Sequence, residues 1–67
     1  MDKEELIKED KMLATELNDL EKQINDMRIK QILDPSYQPT FLDIKNLERA
    51  EKIKSRRQEI EYILKKE

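Results

Sequence analysis

Apolar residues recur along the first half of the chain with a seven-residue period. Leu6, Leu13, Leu20 and Met27 stand a heptad apart, and Leu17 and Ile24 precede Leu20 and Met27 by three. That alternation of three and four places these six residues on one stripe of a helix, the pattern of a coiled-coil seam. With the first set labelled d and the second a, the a row runs Lys3, Asp10, Leu17, Ile24 and Gln31, apolar in the middle and polar at both ends. The second half is less regular. Ile53 and Ile60 share a row with Asn46, and Leu42, Arg49, Arg56 and Ile63 form the row three residues on.

The two prolines, Pro35 and Pro39, divide these halves. Proline disfavours helix at the residue before it, so the first helix ends near Leu33 or Asp34. Thr40 is placed to cap a second helix, with Asp43 three residues later completing an acidic capping box and Pro39 and Ile44 at the positions of a hydrophobic staple. The pattern predicts helices over about 3–33 and 41–65 and a loop at 34–39, in a single domain spanning 1–67. Each helix would be roughly 35 to 45 Å long at ~1.5 Å per residue. A loop this short joins antiparallel neighbours.

If the helices meet directly at the turn, facing residues have numbers adding to about 73. That register sets Leu20 against Ile53, Leu13 against Ile60, Ile29 against Ile44 and Ile32 against Phe41. It also sets Leu17 against Arg56, Ile24 against Arg49 and Asp10 against Ile63. Leu17 and Ile24 would then be poorly covered by a lone hairpin. The expected fold is all-α, a coiled-coil-like antiparallel two-helix hairpin that completes a four-helix bundle by dimerising or by binding a partner helix.

Composition narrows what such a hairpin does. Cysteine, histidine and glycine are all absent from the 67 residues, while 45% are charged. Disulfides, thiolate or imidazole metal sites and Cys or His catalysis are thereby excluded. No glycine-rich phosphate loop or Ser-His-Asp set can be assembled. The expectation is a protein that is not an enzyme and needs no cofactor. The net charge is −2, which gives no global attraction to nucleic acid or acidic membranes. No apolar run is long enough to span a bilayer, and no signal-peptide core is recognisable, so a cytoplasmic protein is expected.

The strongest charge feature is Arg49, Lys52, Lys54, Arg56 and Arg57, interleaved with Glu48, Glu51, Glu59 and Glu61. Such a stretch could sit on phosphates, but it has no aromatic residue to stack on bases. The preferred reading is a solvated face with interface arginines whose stems cover apolar surface while their guanidinium groups reach Glu16, Asp19 or Glu21. Asp10 at an a position suits either a register-setting polar residue or a frayed, hydrated bundle end, and the latter is preferred. Tyr37, one of three aromatic residues, is expected to pack over Ile32, Leu33 and Phe41 and close the hairpin, or to be presented by the loop as a contact.

The expected partner interface comprises Leu13, Leu17, Leu20, Ile24, Arg49, Ile53, Arg56, Arg57 and Ile60, with Tyr37 as a loop contact. The expected function is a non-catalytic interaction module: a small helical adaptor or chaperone-like assembly factor that covers an apolar helix face of itself or of another helical protein. A structural subunit of a phage or secretion machine would look the same. The alternative is an RNA-binding regulatory four-helix-bundle dimer using the basic face of the second helix.

One family likeness bears on this. The hairpin architecture with "DPSYQ" before the second helix resembles the small helical-hairpin co-chaperones of bacterial type III secretion needle subunits, whose turn carries a Tyr-Gln pair matched here by Tyr37 and Gln38. The likeness spans most of the chain by architecture and two or three residues by motif. It implies a stabilising partner in a heteromeric chaperone that shields an aggregation-prone secreted subunit.

Overall fold

A computed structural model of the chain describes residues 2–66. Helix α1 runs Lys3–Leu33 and helix α2 runs Phe41–Lys66, packed antiparallel as a hairpin. The long dimension is 49 Å, close to the length of α1 alone at ~1.5 Å per residue.

The ends of the helices follow from local chemistry. Asp2 caps α1, its carboxylate accepting from the backbone N–H of Glu4 at 3.0 Å. At the other end the Asp34 N–H donates to the Lys30 carbonyl at 2.9 Å, and Pro35 cannot continue the helix. Asp34-Pro35-Ser36-Tyr37 then forms a turn closed by the Tyr37 N–H on the Asp34 carbonyl at 2.9 Å. The Asp34 side chain accepts from both the N–H and the hydroxyl of Ser36, the local bonding that suits Asp to the first position of a turn. The capping box expected from sequence is formed in full. The Thr40 N–H donates to Asp43 Oδ2 at 2.8 Å, and the Asp43 N–H donates to Thr40 Oγ1 at 3.2 Å.

The core is one seam. Leu6, Leu17, Leu20, Ile24 and Met27 of α1 and Ala50, Ile53 and Ile60 of α2 are buried, and Leu13, Leu47 and Tyr37 pack partly buried against them. The d row and the apolar middle of the a row on α1 are therefore where the heptad puts them. On α2 the row beside Ile53 and Ile60 differs from the expectation. It is Asp43, Ala50, Arg57 and Leu64, three residues before Asn46, Ile53 and Ile60 rather than three after. Ala50 is the reason. It is 3% exposed in one cluster with Leu17, Leu20 and Ile24, and a side chain this small suits a closely packed seam.

The register differs too. Gln23 pairs with Asn46, Glu16 with Arg49, Glu9 with Arg56 and Asp10 with Arg57. Facing numbers thus add to 65–69, not about 73, a slip of roughly 9 Å at ~1.5 Å per residue. The cause is the loop. It does not jump directly between helix ends; residues 34–40 double back beside the last two turns of α1, and α2 begins near the level of residue 26. Leu17 and Ile24, expected to lack cover, are each 8% exposed. The expected pairs Ile29–Ile44 and Ile32–Phe41 are not made: all four side chains are exposed, Ile32 to 78% and Phe41 to 75%. Tyr37, expected to pack over Ile32, Leu33 and Phe41, leaves all three exposed; it packs on the core cluster and donates its hydroxyl to Asp43 Oδ2 at 2.7 Å.

Candidate partner interface

The nine residues expected to form an interface fall into two groups. Leu17, Leu20, Ile24, Ile53 and Ile60 are buried within the single hairpin, and Leu13 is half-buried against them. They form the intramolecular seam. Arg49, Arg56 and Arg57 lie beside it, each engaged by a carboxylate of α1.

The two flanks of the seam are unlike. One flank carries the g rows of both helices, which face each other in an antiparallel pair. Arg49 meets Glu16 through two bonds at 2.6 and 3.0 Å. Arg56 meets Glu9 through two bonds at 2.5 and 3.0 Å and also contacts Glu59 of its own helix. Asn46 donates to Gln23 at 2.9 Å. Glu9, Glu16 and Gln23 stand a heptad apart, so this flank is zipped at regular intervals. The fork geometry of each guanidinium fits a carboxylate edge. These bonds hold the Glu9 and Glu16 carboxyls below the usual glutamate range, and the paired arginines are raised. Glu16 was among the acceptors foreseen for the arginines. Glu9 was missed, although its heptad spacing from Glu16 and Gln23 was legible.

The opposite flank carries the e rows, Ile7, Ala14, Glu21 and Arg28 on α1 and Leu47, Lys54 and Glu61 on α2. Among the described residues no ion pair joins these two rows; Lys54 pairs with Glu51 and Lys65 with Glu61 within α2. Instead an open groove of about 610 Å³ lies at the end of this flank away from the turn, lined by Asp10 and Leu17 of α1 and by Lys54, Ile60, Glu61 and Leu64 of α2. Among the described residues the bridge between the helices on this flank comes from the core rows. Arg57 donates to both oxygens of Asp10, at 2.9 and 3.5 Å, with both side chains about one-third exposed. Asp10 is therefore a helical, half-buried residue with a fixed partner rather than a frayed end. A slip of one heptad in either direction would set Asp10 against Ala50 or Leu64, leaving its half-buried charge without a partner.

A third feature lies at the turn. Ile29, Ile32 and Leu33 occupy outward positions of α1, and Phe41 and Ile44 occupy outward positions of α2; all are exposed, Leu33 to 79%. Leu42, at the turn end of the zipped flank, is also exposed. Loop closure is firm beside them. The Asp43 carboxyl is held below the usual aspartate range by the Thr40 N–H and then by the Tyr37 hydroxyl, and Tyr37 is pushed up by the same bond.

Four of the five cations of the basic stretch, all but Lys52, are engaged by carboxylates among the described residues. Arg49, Arg56 and Arg57 are bound to α1 carboxylates and Lys54 lies near Glu51. Among the described residues no helix is long and apolar enough to cross a membrane, and no three acidic side chains are grouped as metal ligands. No protein-family model, no curated protein and no solved structure matches the chain, so the interface rests on its own geometry.

Proposed function

We propose that the protein is a non-catalytic interaction module, a helical adaptor or assembly factor that offers apolar helix surface to another helical chain and thereby completes a larger bundle. One observation carries this. The seam is closed internally, yet Ile29, Ile32, Leu33, Phe41, Leu42 and Ile44 stay exposed at the turn end of a chain with only 36% hydrophobic residues. Scattered single apolar residues on a surface are ordinary, but six large ones on the outer faces of both helices at one end of a small hairpin leave apolar surface for another chain to cover. Leu17 and Ile24 are covered within the hairpin, each 8% exposed, so the surface on offer lies outside the seam. Chaperone-type shielding of a secreted needle subunit is one form of this reading, supported by the Tyr37–Gln38 turn alone.

The RNA-binding alternative would require phosphates to displace carboxylates from Arg49, Arg56 and Arg57, which the zipped flank disfavours. The test replaces Ile32, Leu33 and Phe41 together with Ser and compares variant and native chains in cross-linked complexes from the native host. A partner cross-linked to the turn end of the native chain and lost from the variant supports the proposal. An unchanged complex refutes it, as does steeply salt-dependent RNA binding abolished by Arg56→Glu with Arg57→Glu.

A further inference from the structure

Most of what holds α1 against α2 repeats every seven residues, and so does not by itself choose one axial register. The apolar seam is the first case. With facing numbers adding to 67, as for Asp10 and Arg57, Ile60 and Ile53 lie close to the levels of Leu6 and Leu13. A slip of one heptad toward the turn would bring them close to Leu13 and Leu20 instead. The zipped flank is the second. Glu9 and Glu16 hold Arg56 and Arg49, so the same slip would pass Arg56 to Glu16 and Arg49 to Gln23. The loop permits it too, because α2 would then begin level with residue 33, where α1 ends. The slip would uncover Leu6, now 3% exposed, and in exchange bring α2 alongside the last two turns of α1.

The Asp10–Arg57 bridge does not repeat. One heptad on from Asp10 stands Leu17, and one heptad on from Arg57 stands Leu64. The slip would therefore set Asp10 against Leu64 and Arg57 against Leu17, each charge facing an apolar residue. We propose that Asp10 and Arg57 are the register lock of the hairpin, a pair retained for the one alignment it allows. The guanidinium donates to both carboxylate oxygens, at 2.9 and 3.5 Å, so the contact is directional as well as electrostatic. Their side chains are 32% and 38% exposed, and a charge held this far out of water is costly once its partner is gone. Two apolar residues in the same places would pack the seam better but would accept either register, as at the polar core positions of coiled coils.

The lock reaches the turn. In this register Leu33 stands about 10 Å beyond Phe41 along the axis at ~1.5 Å per residue, and after the slip the two would be level. The stagger of the exposed apolar residues at the turn is thus held from the opposite end of the hairpin. The lock itself does not depend on the interaction-module reading.

Distance measurement between two labels tests this. The chain has no cysteine of its own, so Lys22→Cys with Lys65→Cys, at two exposed positions, places a nitroxide on each helix. Pulsed electron paramagnetic resonance, with labelled chain diluted in unlabelled chain, reads the separation within one hairpin. Along the axis it is about 30 Å in the register described and about 20 Å after the slip, at ~1.5 Å per residue. Moving the carboxylate by one heptad, Asp10→Leu with Leu17→Asp, is expected to move the helices, so that the shorter distance replaces the native one. Exchanging the charges, Asp10→Arg with Arg57→Asp, is expected to keep the native distance. A moved carboxylate that leaves the native distance in place overturns the proposal, as does a shift on exchange. If Leu17→Asp prevents folding, Asp10→Leu with Arg57→Leu decides: a shorter distance beside the native one supports the lock, and the native distance alone overturns it. The loop is intact in every variant, so a shift reports the pair and not the turn.

Discussion

Replacing Ile53 with Ala tests the register directly. Ile53 is 1% exposed, in the cluster with Leu17, Leu20, Ile24, Met27 and Ala50. The substitution removes three carbon groups, worth about 0.8 kcal/mol each on transfer, or roughly 2.4 kcal/mol. A cavity term adds to this, and Ile→Ala changes in cores span about 2–5 kcal/mol. A two-helix seam has soft walls that partly collapse, so the lower half of that range is expected, about 2–3.5 kcal/mol. Domains of this size hold only ~0.05–0.15 kcal/mol per residue, so the loss is a large share of total stability. At about 4–8 °C per kcal/mol, Tm should fall by more than about 8 °C. The matched control is Ile29→Ala. Ile29 is the same residue type in the same helical hairpin but 52% exposed, and its cost should stay within about 0.5 kcal/mol. A register in which facing numbers add to about 73 would bury Ile29 against Ile44 and predict comparable losses for both. Urea and thermal unfolding followed by circular dichroism, at one fixed protein concentration because association adds stability, measure the two. Equal costs, or a cost below about 1 kcal/mol for Ile53, would refute the seam described here.

Stability should also depend on pH at both extremes. The folded-state carboxyls of Glu9, Glu16, Asp34 and Asp43 lie below their ordinary values of 4.5 and 3.8, held there by Arg56, Arg49, Ser36 and Thr40 respectively. Their contribution is complete above the ordinary range and lost as pH falls through the lowered values, so Tm should decline below about pH 4.5. Tyr37 is raised above its ordinary 10.0; its contribution is complete below that value and lost above it, so a second decline is expected at high pH, absent in Tyr37→Phe, where Asp43 should also titrate closer to the ordinary aspartate range by NMR. Thr40→Ala removes half of the capping box and should cost about 1 kcal/mol in urea unfolding, whereas a cost near zero would mean the box does not stabilise α2. Glu9→Arg and Arg56→Glu should each lower Tm, and the double swap should recover most of the loss at low salt but less at high salt; singles that match the native chain would show the zipped flank to be inert.

The sequence by itself determined the elements and their limits. Proline at 35 and 39, the Thr40–Asp43 box and the heptad of Leu6, Leu13, Leu20 and Met27 are local signals, each acting within one turn or one helix, and each was legible. It also determined that α1 has one apolar stripe. What it did not determine was the relation of the two stripes. On α2 the residues flanking Ile53 and Ile60 offered two companion rows. The row Leu42, Arg49, Arg56 and Ile63 and the row Asp43, Ala50, Arg57 and Leu64 each hold two apolar and two charged residues, so composition does not choose between them. The choice turned on how closely the backbones approach, and a small alanine between Leu17, Leu20 and Ile24 wins because packing density outweighs the hydrophobicity of either row taken alone. The axial register turned on the path of a seven-residue loop, which periodicity does not encode. Tyr37 and Asp43 hold that loop back along α1, and this moves α2 by more than a turn. Only then do Arg49 and Arg56 fall on a flank opposite Glu16 and Glu9, and only then does the other flank open. The basic stretch of α2 was visible in the sequence, but its neutralisation by α1, and the surfaces left over for a partner, were decided by tertiary contact.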